Sequence, residues 1–246
     1  MGSSDQTSQR IAIDPLARVD ESVSLTAPTE IAAGAVLRGV ICAGPGLVIH
    51  PGASLGSPAQ HRIRGSGSLT IGDGVEVWDC ATIHAGSAVG TGATRVGNRT
   101  LVMAYAHIGH DAILEDDVVV SNGAQIGGHV VIGRGAVLGA RSALHQYVRV
   151  GRGAMVAAGS FVVSDVPPWS LVAGDRGRLL GPNRVALAST ERSALVRKAL
   201  RMLRGAKTTG TQLLEALGRD HQEIRDIADF IDAPSQRGIC RWGSGS

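Results

Sequence analysis

The sequence has few aromatic residues and only three cysteines, and these shortages exclude several protein classes. Phe, Trp and Tyr make up 3% of the 246 residues. Cys42, Cys80 and Cys240 are widely separated, so we expect neither a disulfide framework nor a thiolate zinc site. No run approaches the roughly 18 apolar residues of a membrane span, and the polar N-terminus has no apolar signal core. We therefore expect a cytoplasmic protein without a membrane span.

Blocks of like charge are also missing. The formal net charge is +3, and Lys198 and Lys207 are the only lysines among the basic residues. This distribution does not predict nucleic acid as a partner, although a local basic face could receive an acidic protein.

Glycine, in contrast, is abundant. The chain has 34 glycines and 43% hydrophobic residues. Glycine without a three-residue period is not collagen, and this apolar content is too high for a disordered chain. The composition indicates a repetitive fold with many tight turns.

Apolar residues recur at every sixth position along most of the chain. The first series is Ile13, Val19, Leu25, Ile31, Leu37, Ala43, Ile49 and Leu55. After a polar, glycine-rich stretch over residues 57–68, the repeat resumes at Ile71, Val77, Ile83 and Val89. It slips by one residue and then continues through Val96, Val102, Ile108, Leu114, Val120, Ile126, Ile132, Leu138, Leu144, Val150, Val156 and Val162.

A period of six fits neither an amphipathic helix nor simple strand alternation. It is typical of a β-solenoid in which each hexad forms one short face and the repeated apolar residue points inward. The adjacent prolines of 165–169 are expected to end the solenoid. From about Val185 the apolar period becomes helical, with further helices expected over 212–217 and 220–231. We predict a flexible N-terminus over 1–10, a solenoid over 11–183, a helical domain over 184–242 and a tail over 243–246.

Four of the eight histidines lie within residues 106–147. They are His107, His110, His129 and His145. If each coil has eighteen residues, His110 stacks on Gly128 and Asp111 stacks on His129, about 4.8 Å apart. The four histidines and Asp111 are then expected to converge on one corner. The other histidines do not share this phase and are interpreted as structural, with His61 left open because it lies in the polar loop.

Such a corner supports proton transfer. A neutral imidazole can take a proton from a hydroxyl or an amine, and a neighbouring carboxylate can orient the ring. Direct pairing of His110 with Asp111 requires a bend, because adjacent strand residues point to opposite faces. Gly128 could offer an unhindered N–H to an oxyanion. No serine or cysteine accompanies the histidines in a nucleophile motif, so direct transfer is favoured.

A zinc site is the competing interpretation of this corner. The β-helical γ-class carbonic anhydrases bind zinc with three histidines, and His107, His110, His129 and His145 could supply ligands. The Gln and Asn pattern that accompanies the metal in that family is absent here. We therefore predict no resident metal and keep a zinc hydratase as the alternative from another class.

Several motifs together carry a closer resemblance. They are AHIGHD from Ala106, GGH from Gly127, HQ at His145, DVPPW from Asp165 and SQRGICR from Ser235. The combination resembles the UDP-N-acetylglucosamine O-acyltransferases of the lipid A pathway. This resemblance implies a homotrimeric, left-handed parallel β-helix of eighteen-residue coils with a C-terminal α-helical domain. It also implies transfer of a hydroxyacyl chain from acyl carrier protein to a sugar 3-hydroxyl.

The resemblance implies roles for individual residues. His110 would be the general base, Asp111 its orienting carboxylate and Gly128 the oxyanion donor. The residues implied to contact substrate or acyl donor are His107, His129, His145, Gln146 and Asn183, with Ala158 at the position that limits acyl-chain length. The residues in the implied carrier-protein docking region are Arg197, Lys198, Arg201 and Arg204. No bound cofactor is implied, and the co-substrate is an acyl-phosphopantetheine on carrier protein or coenzyme A.

The sequence departs from the family where the acceptor is recognised. The family's mid-solenoid loop carries an Asp and a Lys, whereas the stretch over 60–64 here reads QHRIR. Tyr105 replaces an Asn, and Asp175 with Arg176 replaces an Asn-His pair. We therefore expect the same reaction on a different small acceptor, a nucleotide sugar or an amine. The alternative is authentic UDP-N-acetylglucosamine 3-O-acylation.

Overall fold

The structure is a computed structural model that describes residues 10–63, 65, 67–204 and 208–243. The predicted flexible N-terminus, apart from Arg10, and the predicted tail, apart from Gly243, lie outside the described residues. The described residues form three sheets of short strands, which are the faces of a left-handed parallel β-helix, followed by four helices. The predicted fold class is confirmed.

The strands are numbered in chain order and divided among three faces. Face A contains β1 (Ile11–Ile13), β4 (Thr29–Ile31), β7 (Leu47–Ile49), β10 (Glu76–Val77), β13 (Leu101–Val102), β16 (Val119–Val120), β19 (Val137–Leu138), β22 (Met155–Val156), β24 (Ser170–Ala173) and β25 (Arg178–Pro182). Face B contains β2 (Arg18–Val19), β5 (Val36–Leu37), β8 (Ser54–Ser57), β11 (Thr82–His84), β14 (His107–Ile108), β17 (Gln125–Ile126), β20 (Ala143–Leu144) and β23 (Phe161–Val162). Face C contains β3 (Val23–Leu25), β6 (Val40–Ala43), β9 (Ser68–Ile71), β12 (Ala93–Val96), β15 (Ile113–Leu114), β18 (Val131–Ile132) and β21 (Arg149–Val150).

The repeated apolar residue of most hexads fills the interior of the coil, whereas Ile13 at the open N-terminal end is 45% exposed. Ile108 pairs with Ile126, and Ile126 pairs with Leu144, so equivalent positions recur every eighteen residues. These side chains are at most 4% exposed. Burial of apolar surface contributes about 25 cal/mol per Å², which makes this central stack the main source of stability.

A residue with left-handed backbone conformation makes the turn between faces. Asp111, Asp117 and His129 occupy this position with φ near 60°, and Gly123 and Gly135 occupy it with φ of 67°. Glycine adopts this conformation without steric cost, whereas other residues need compensating contacts. The turn therefore fixes the direction in which the side chains of Asp111, Asp117 and His129 leave the backbone.

Two loops interrupt the eighteen-residue spacing at the corner between faces B and C. The first loop joins β8 to β9, and the second joins β11 to β12. Leu55 pairs with Ile83, and Ile83 pairs with Ile108, so these two coils are longer than the others. A Cβ on Gly67 in the first loop would lie 2.3 Å from the carbonyl oxygen of Gly86 in the second. The described residues at the end of the first loop are therefore in close contact with the second loop.

The second loop corrects one position of the predicted hexad series. Val89 was predicted to point inward, but it lies in this loop and is 49% exposed. The next inward position after Ile83 is supplied by β12, where Val96 is buried.

The solenoid also continues past the predicted stop. The prolines at 167 and 168 lie in a corner, after which β24 pairs in parallel with β22 and forms a hairpin with β25. The missing proline donors are tolerated because corner residues do not carry the ladder.

Four helices follow the hairpin. They are α1 (Arg184–Leu187), α2 (Thr190–Met202), α3 (Gly210–Leu217) and α4 (Gln222–Asp232). α3 begins before the predicted residue 212 because Thr209 and Gln212 form a capping box. The C-terminal segment then returns to the solenoid, where Ile239 pairs with Asp165. Among the described residues, no helix is long and apolar enough to cross a membrane.

Because Val120 points inward and Val89 points outward, replacing each by alanine should lower the free energy of unfolding by different amounts. Val120 is fully buried in the stack, so Val120→Ala should lower the free energy of unfolding by about 2 kcal/mol. Val89→Ala is the matched control and should change it by less than about 0.5 kcal/mol. Urea unfolding at a fixed protein concentration measures both values. Equal losses would contradict the outward orientation of Val89.

Candidate active site

The corner between β14 and β15 brings a histidine and a carboxylate together. Asp111 has φ of 60°, so its side chain turns back toward that of His110 instead of pointing to the opposite face. His110 Nδ1 lies 2.7 Å from Asp111 Oδ2. The left-handed turn supplies the bend that pairing of adjacent residues requires.

The second inserted loop surrounds the Asp111 carboxylate with donors. The backbone N–H of Ser87 donates to both carboxylate oxygens at 3.1 and 3.2 Å, the Gly92 N–H donates at 2.9 Å, and the Thr91 hydroxyl donates at 3.1 Å. Burial alone would raise the pKa of Asp111, but the bonds from Ser87, His110 and Thr91 outweigh it and lower the pKa to about 2. The carboxylate therefore stays ionised at neutral pH.

Two further histidines lie on face B beside this pair. The rings of His84 and His107 meet edge to face with centroids 4.8 Å apart, and His107 Nδ1 lies 2.8 Å from the Thr82 hydroxyl. Burial and the nearby His107 and His110 lower the pKa of His84 to about 4. Burial, and then His110, also lowers the pKa of His107. Both rings are neutral at pH 7.

His129 lies one coil above Asp111 at the same left-handed position. Its ring meets that of His110 edge to face with centroids 5.0 Å apart and stacks on Tyr147 with centroids 4.5 Å apart. Burial lowers the pKa of His129, against the opposing effect of the Asp111 charge, and the nearby His110 lowers it further. His129 and Tyr147 thus form an aromatic wall beside the His110 ring.

The His110 ring leaves no room for a side chain at position 128, which is occupied by glycine. A Cβ at this position would lie 2.8 Å from both Cε1 and Nε2 of His110. Within the described part of the chain, no backbone carbonyl accepts the Gly128 N–H. The absence of a side chain therefore lets the Gly128 backbone approach the imidazole nitrogen that does not contact Asp111.

A cleft of about 250 Å³ lies on face B beside these groups, although Asp111, His129 and Tyr147 are not among its lining residues. The lining residues are Gln60, His84, His107, Gly109, His110, Gln125, Ile126, Gly127, Gly128, Ala143, Leu144 and Gln146. Three of these residues are histidines, three are glutamines, three are glycines and three are apolar. The cleft therefore gives a substrate access to His110.

The structure places three other predicted residues away from the histidine cluster. His145 Nδ1 lies 2.6 Å from an Arg237 nitrogen. The Asn183 side chain donates to the Gly153 carbonyl and accepts from the first turn of α1, so it caps that helix. Ala158 is exposed in the turn between β22 and β23. None of the three lines the cleft.

The predicted docking cations lie on or just after α2. Lys198 and Arg201 are exposed, and Arg197 is half-buried. The Arg204 guanidinium lies over the Trp242 ring at 4.2 Å, so part of its surface is engaged within the protein. This face is separate from the cleft.

The donor atoms fit internal hydrogen bonding better than a metal. Atoms of His110, Asp111 and His129 that could bind a metal lie within 4.8 Å of one another. However, the Asp111 oxygens already accept from the second loop and from His110, so their lone pairs are engaged. His145, which the zinc hypothesis included, faces Arg237 instead. A zinc ion at about 2.1 Å from its ligands would have to break this arrangement.

Some residues of the site were not expected. His84 is among the histidines expected to be structural, because it does not share the eighteen-residue phase of the other four. The second loop shifts that phase, and the pairing of Ile83 with Ile108 brings His84 beside Gly109. Ser87, Thr91 and Gly92, which donate to Asp111, and Gln60 lie in the inserted loops. The six-residue repeat therefore could not predict their positions. Tyr147 was predictable, since it follows His129 by one coil.

Family profiles match two parts of the chain. The profile described as "Udp N-acetylglucosamine O-acyltransferase; Domain 2" matches residues 165–240. The profile described as "Bacterial transferase hexapeptide (six repeats)" matches residues 93–128, which include the His110 corner.

Curated and solved relatives agree with these matches. The chain is 35% identical over 184 residues, 70% of each protein, to acyl-[acyl-carrier-protein]–UDP-N-acetylglucosamine O-acyltransferase from Burkholderia mallei. The structure of UDP-N-acetylglucosamine acyltransferase from Bacteroides fragilis superposes with a TM-score of 0.81 at 29% identity and covers 93% of this chain and 100% of that one. The Campylobacter jejuni protein gives 0.81 at 28% identity, covering 94% and 100%.

The lowered pKa of Asp111 predicts a contribution to stability that depends on pH. Its pKa in the folded state lies below the ordinary value of 3.8, so the contribution is present above pH about 4 and is lost as pH falls toward 2. The difference in unfolding free energy between the native protein and Asp111→Asn should therefore shrink by about 2 kcal/mol over this interval. Urea unfolding at each pH measures it.

Asp117→Asn is the matched control. Asp117 has the same left-handed conformation, with φ of 61°, but its side chain is 40% exposed and pairs with Arg99. The difference in unfolding free energy between the native protein and Asp117→Asn should therefore change less with pH than the difference for Asp111→Asn. A pH-independent difference for Asp111→Asn would show that the buried carboxylate is not held ionised.

Proposed function

This chain belongs to the UDP-N-acetylglucosamine O-acyltransferase family and is an acyltransferase; from that premise we propose that it moves an acyl chain from a carrier-protein thioester directly to a hydroxyl or amine of a small acceptor. The observation that carries the proposal is the His110–Asp111 pair at the edge of the face B cleft. A buried carboxylate that holds an imidazole is the arrangement expected for a general base.

His110 is the proposed base. Its Nδ1 is engaged by Asp111, so Nε2 is the atom available to the acceptor. Nε2 removes the proton of the acceptor hydroxyl or amine while the acceptor atom attacks the thioester carbonyl. The resulting tetrahedral oxyanion collapses, the carbon–sulfur bond breaks, and the imidazolium returns its proton to the leaving thiolate. Asp111 stabilises the imidazolium while it carries the proton.

Gly128 is the proposed oxyanion donor. A Cβ on this residue would lie 2.8 Å from His110 Nε2, so the Gly128 backbone passes next to the ring, and no described backbone carbonyl accepts its N–H. A carbonyl attacked next to Nε2 would develop its negative charge within reach of this N–H. A single donor of this kind commonly contributes about 10²-fold or more to the rate.

The neighbouring histidines support this chemistry by remaining neutral. The pKa values of His84, His107 and His129 are lowered mainly by burial. Because these rings carry no charge near pH 7, they do not oppose protonation of His110 during the reaction. We propose that His107 and His129 contact the acceptor, and that His145, Gln146 and Asn183 contact the donor or acceptor in the assembled enzyme.

The proposed substrates follow the names of the relatives. The Burkholderia mallei protein is named for an acyl-carrier-protein donor and a UDP-N-acetylglucosamine acceptor, which makes this pair the first candidate here. Arg197, Lys198, Arg201 and Arg204 are proposed to dock the acidic carrier protein, and Ala158 to limit the length of the acyl chain. We propose a homotrimer as the active form; the exposed Tyr105 and Trp78 are available for subunit contact.

An amine acceptor is the second candidate. The first loop supports an acceptor other than the family's, because Gln60 lines the cleft in the stretch that departs from the family's Asp and Lys. A neutral amide cannot supply the charge of either residue, so the recognition of the acceptor differs from the family pattern while the His110 pair is retained.

The role of His110 predicts a large and selective loss of rate. His110→Ala should lower kcat by about 10² to 10⁴-fold because the acceptor loses its base. His221→Ala is the control, since His221 is exposed and makes no side-chain capping bond at α4. Product is measured by intact-mass detection with acyl-carrier protein and UDP-N-acetylglucosamine, and circular dichroism checks the fold. A folded His110→Ala protein with near-normal turnover would contradict the proposal.

The same assay separates the candidates. Acylation of UDP-N-acetylglucosamine supports the first, and acylation of a panel of amines but not of the sugar supports the second. A zinc hydratase would instead contain stoichiometric zinc on elemental analysis and would give no acylated product.

A further inference from the structure

Four arginines border a second cleft at the C-terminal end of the solenoid. Arg176 and Arg178 come from the β24–β25 hairpin, and Arg237 and Arg241 come from the C-terminal segment. The remaining lining residues are Val163, Ser164, Gly238 and Ile239. The cleft has a volume of about 480 Å³, and no acidic side chain is among the residues that line it.

Asp175 comes one residue before Arg176 in the hairpin, but it is not among the residues that line this arginine cleft. None of its four arginines forms an ion pair with an acidic side chain in the part of the chain that the structure describes. Asp165 is close in the fold, but it is fully buried and is bound by Arg149 and Ser235. Four guanidinium groups around one hollow repel each other, and an anion in the hollow would remove that repulsion.

The arginine cleft lies on the same face of the solenoid as the catalytic corner. Position 164 follows His110 by three coils through Gly128 and Gln146, because Ile108, Ile126, Leu144 and Val162 pair in succession. Three coils at about 4.8 Å place it roughly 14 Å from His110.

Arg237 joins the two clefts. Its Nε donates to the Gln146 carbonyl at 2.8 Å, and another of its nitrogens lies 2.6 Å from His145. Gln146 lines the histidine cleft, whereas Arg237 lines the arginine cleft. A substrate could therefore lie along face B with one end in each cleft.

We propose that the arginine cleft binds a phosphate ester of a substrate whose reacting end lies at His110. Guanidinium groups bind phosphate oxygens through paired, charge-assisted hydrogen bonds. A phosphopantetheine arm has about as many chain bonds between thiol and phosphate as four extended residues, so it is long enough to span about 14 Å. A nucleotide sugar also presents phosphate esters. The chemistry is shared, and the inference rests on the proposed acyl transfer for the placement of the reacting end.

Equilibrium binding tests this site without turnover. The protein is titrated by calorimetry with two ligand pairs that differ in phosphate: 4′-phosphopantetheine against pantetheine, and UDP against uridine. The same titrations are made with an Arg178→Gln/Arg241→Gln double variant and with Arg219→Gln as an exposed control outside the cleft. Arg237 is left intact because it bonds to the solenoid.

At least one phosphate-bearing ligand should bind more tightly than its phosphate-free partner by at least about tenfold, and the double variant should lose this advantage. If the double variant loses the tighter binding only for 4′-phosphopantetheine, the cleft binds the acyl donor. If it loses the tighter binding only for UDP, the cleft binds the acceptor. Equal affinities within each pair, or an advantage that survives in the double variant, would overturn the inference.

Two further variants are included in the experiment. Arg176→Gln alone repeats the test if thermal unfolding shows that the double variant does not fold. The titrations are also made on His110→Ala. Phosphate-dependent binding in that variant supports the arginine cleft even if acyl transfer is not detected, so failure of the proposed function and failure of this site remain distinct.

Discussion

The left-handed backbone conformation that recurs every sixth residue from Tyr105 to Gly159 is the constraint on which the rest of this structure depends. Each coil must turn sharply three times while the next apolar side chain stays directed inward, and a residue with φ near 60° makes that turn. Glycine occupies many of these positions. At Asp111 and His129 the same turn is made by side chains that carry chemistry, so the repeat that packs the core also sets the position of the site.

The Asp111 carboxylate links the turn to the chemistry. An unpaired buried carboxylate would be costly, and the second inserted loop removes that cost by directing backbone and hydroxyl donors at it. Its remaining partner is His110, which is thereby fixed with Nε2 beside Gly128. The loop that breaks the regular spacing is therefore what stabilises the charge on which proton transfer depends. The arginine cleft extends the same face toward the C-terminal segment.

The sequence predicts most of the solenoid and only part of the site. The hexad series predicts the six-residue faces, and the family resemblance adds three faces to each coil. Together they allowed the stacking of Asp111 under His129 to be calculated. Residues near the insertions could not be placed: Val89 is outside rather than inside, and His84 enters the cleft although its phase is shifted. His145 has the predicted phase, but a distant segment contributes Arg237 and takes up its Nδ1. Contacts between segments far apart in sequence leave no periodic signal.

The account requires His110 and Asp111 to act as one unit. A double-mutant cycle tests this claim most directly, using initial acyl-transfer rates for the native protein, His110→Ala, Asp111→Ala and the double variant. If Asp111 acts through His110, removing it from a protein that already lacks the base should cause almost no further loss, so the double variant should be about as slow as His110→Ala. Losses that multiply in the double variant would show that the two residues act independently and would contradict the account.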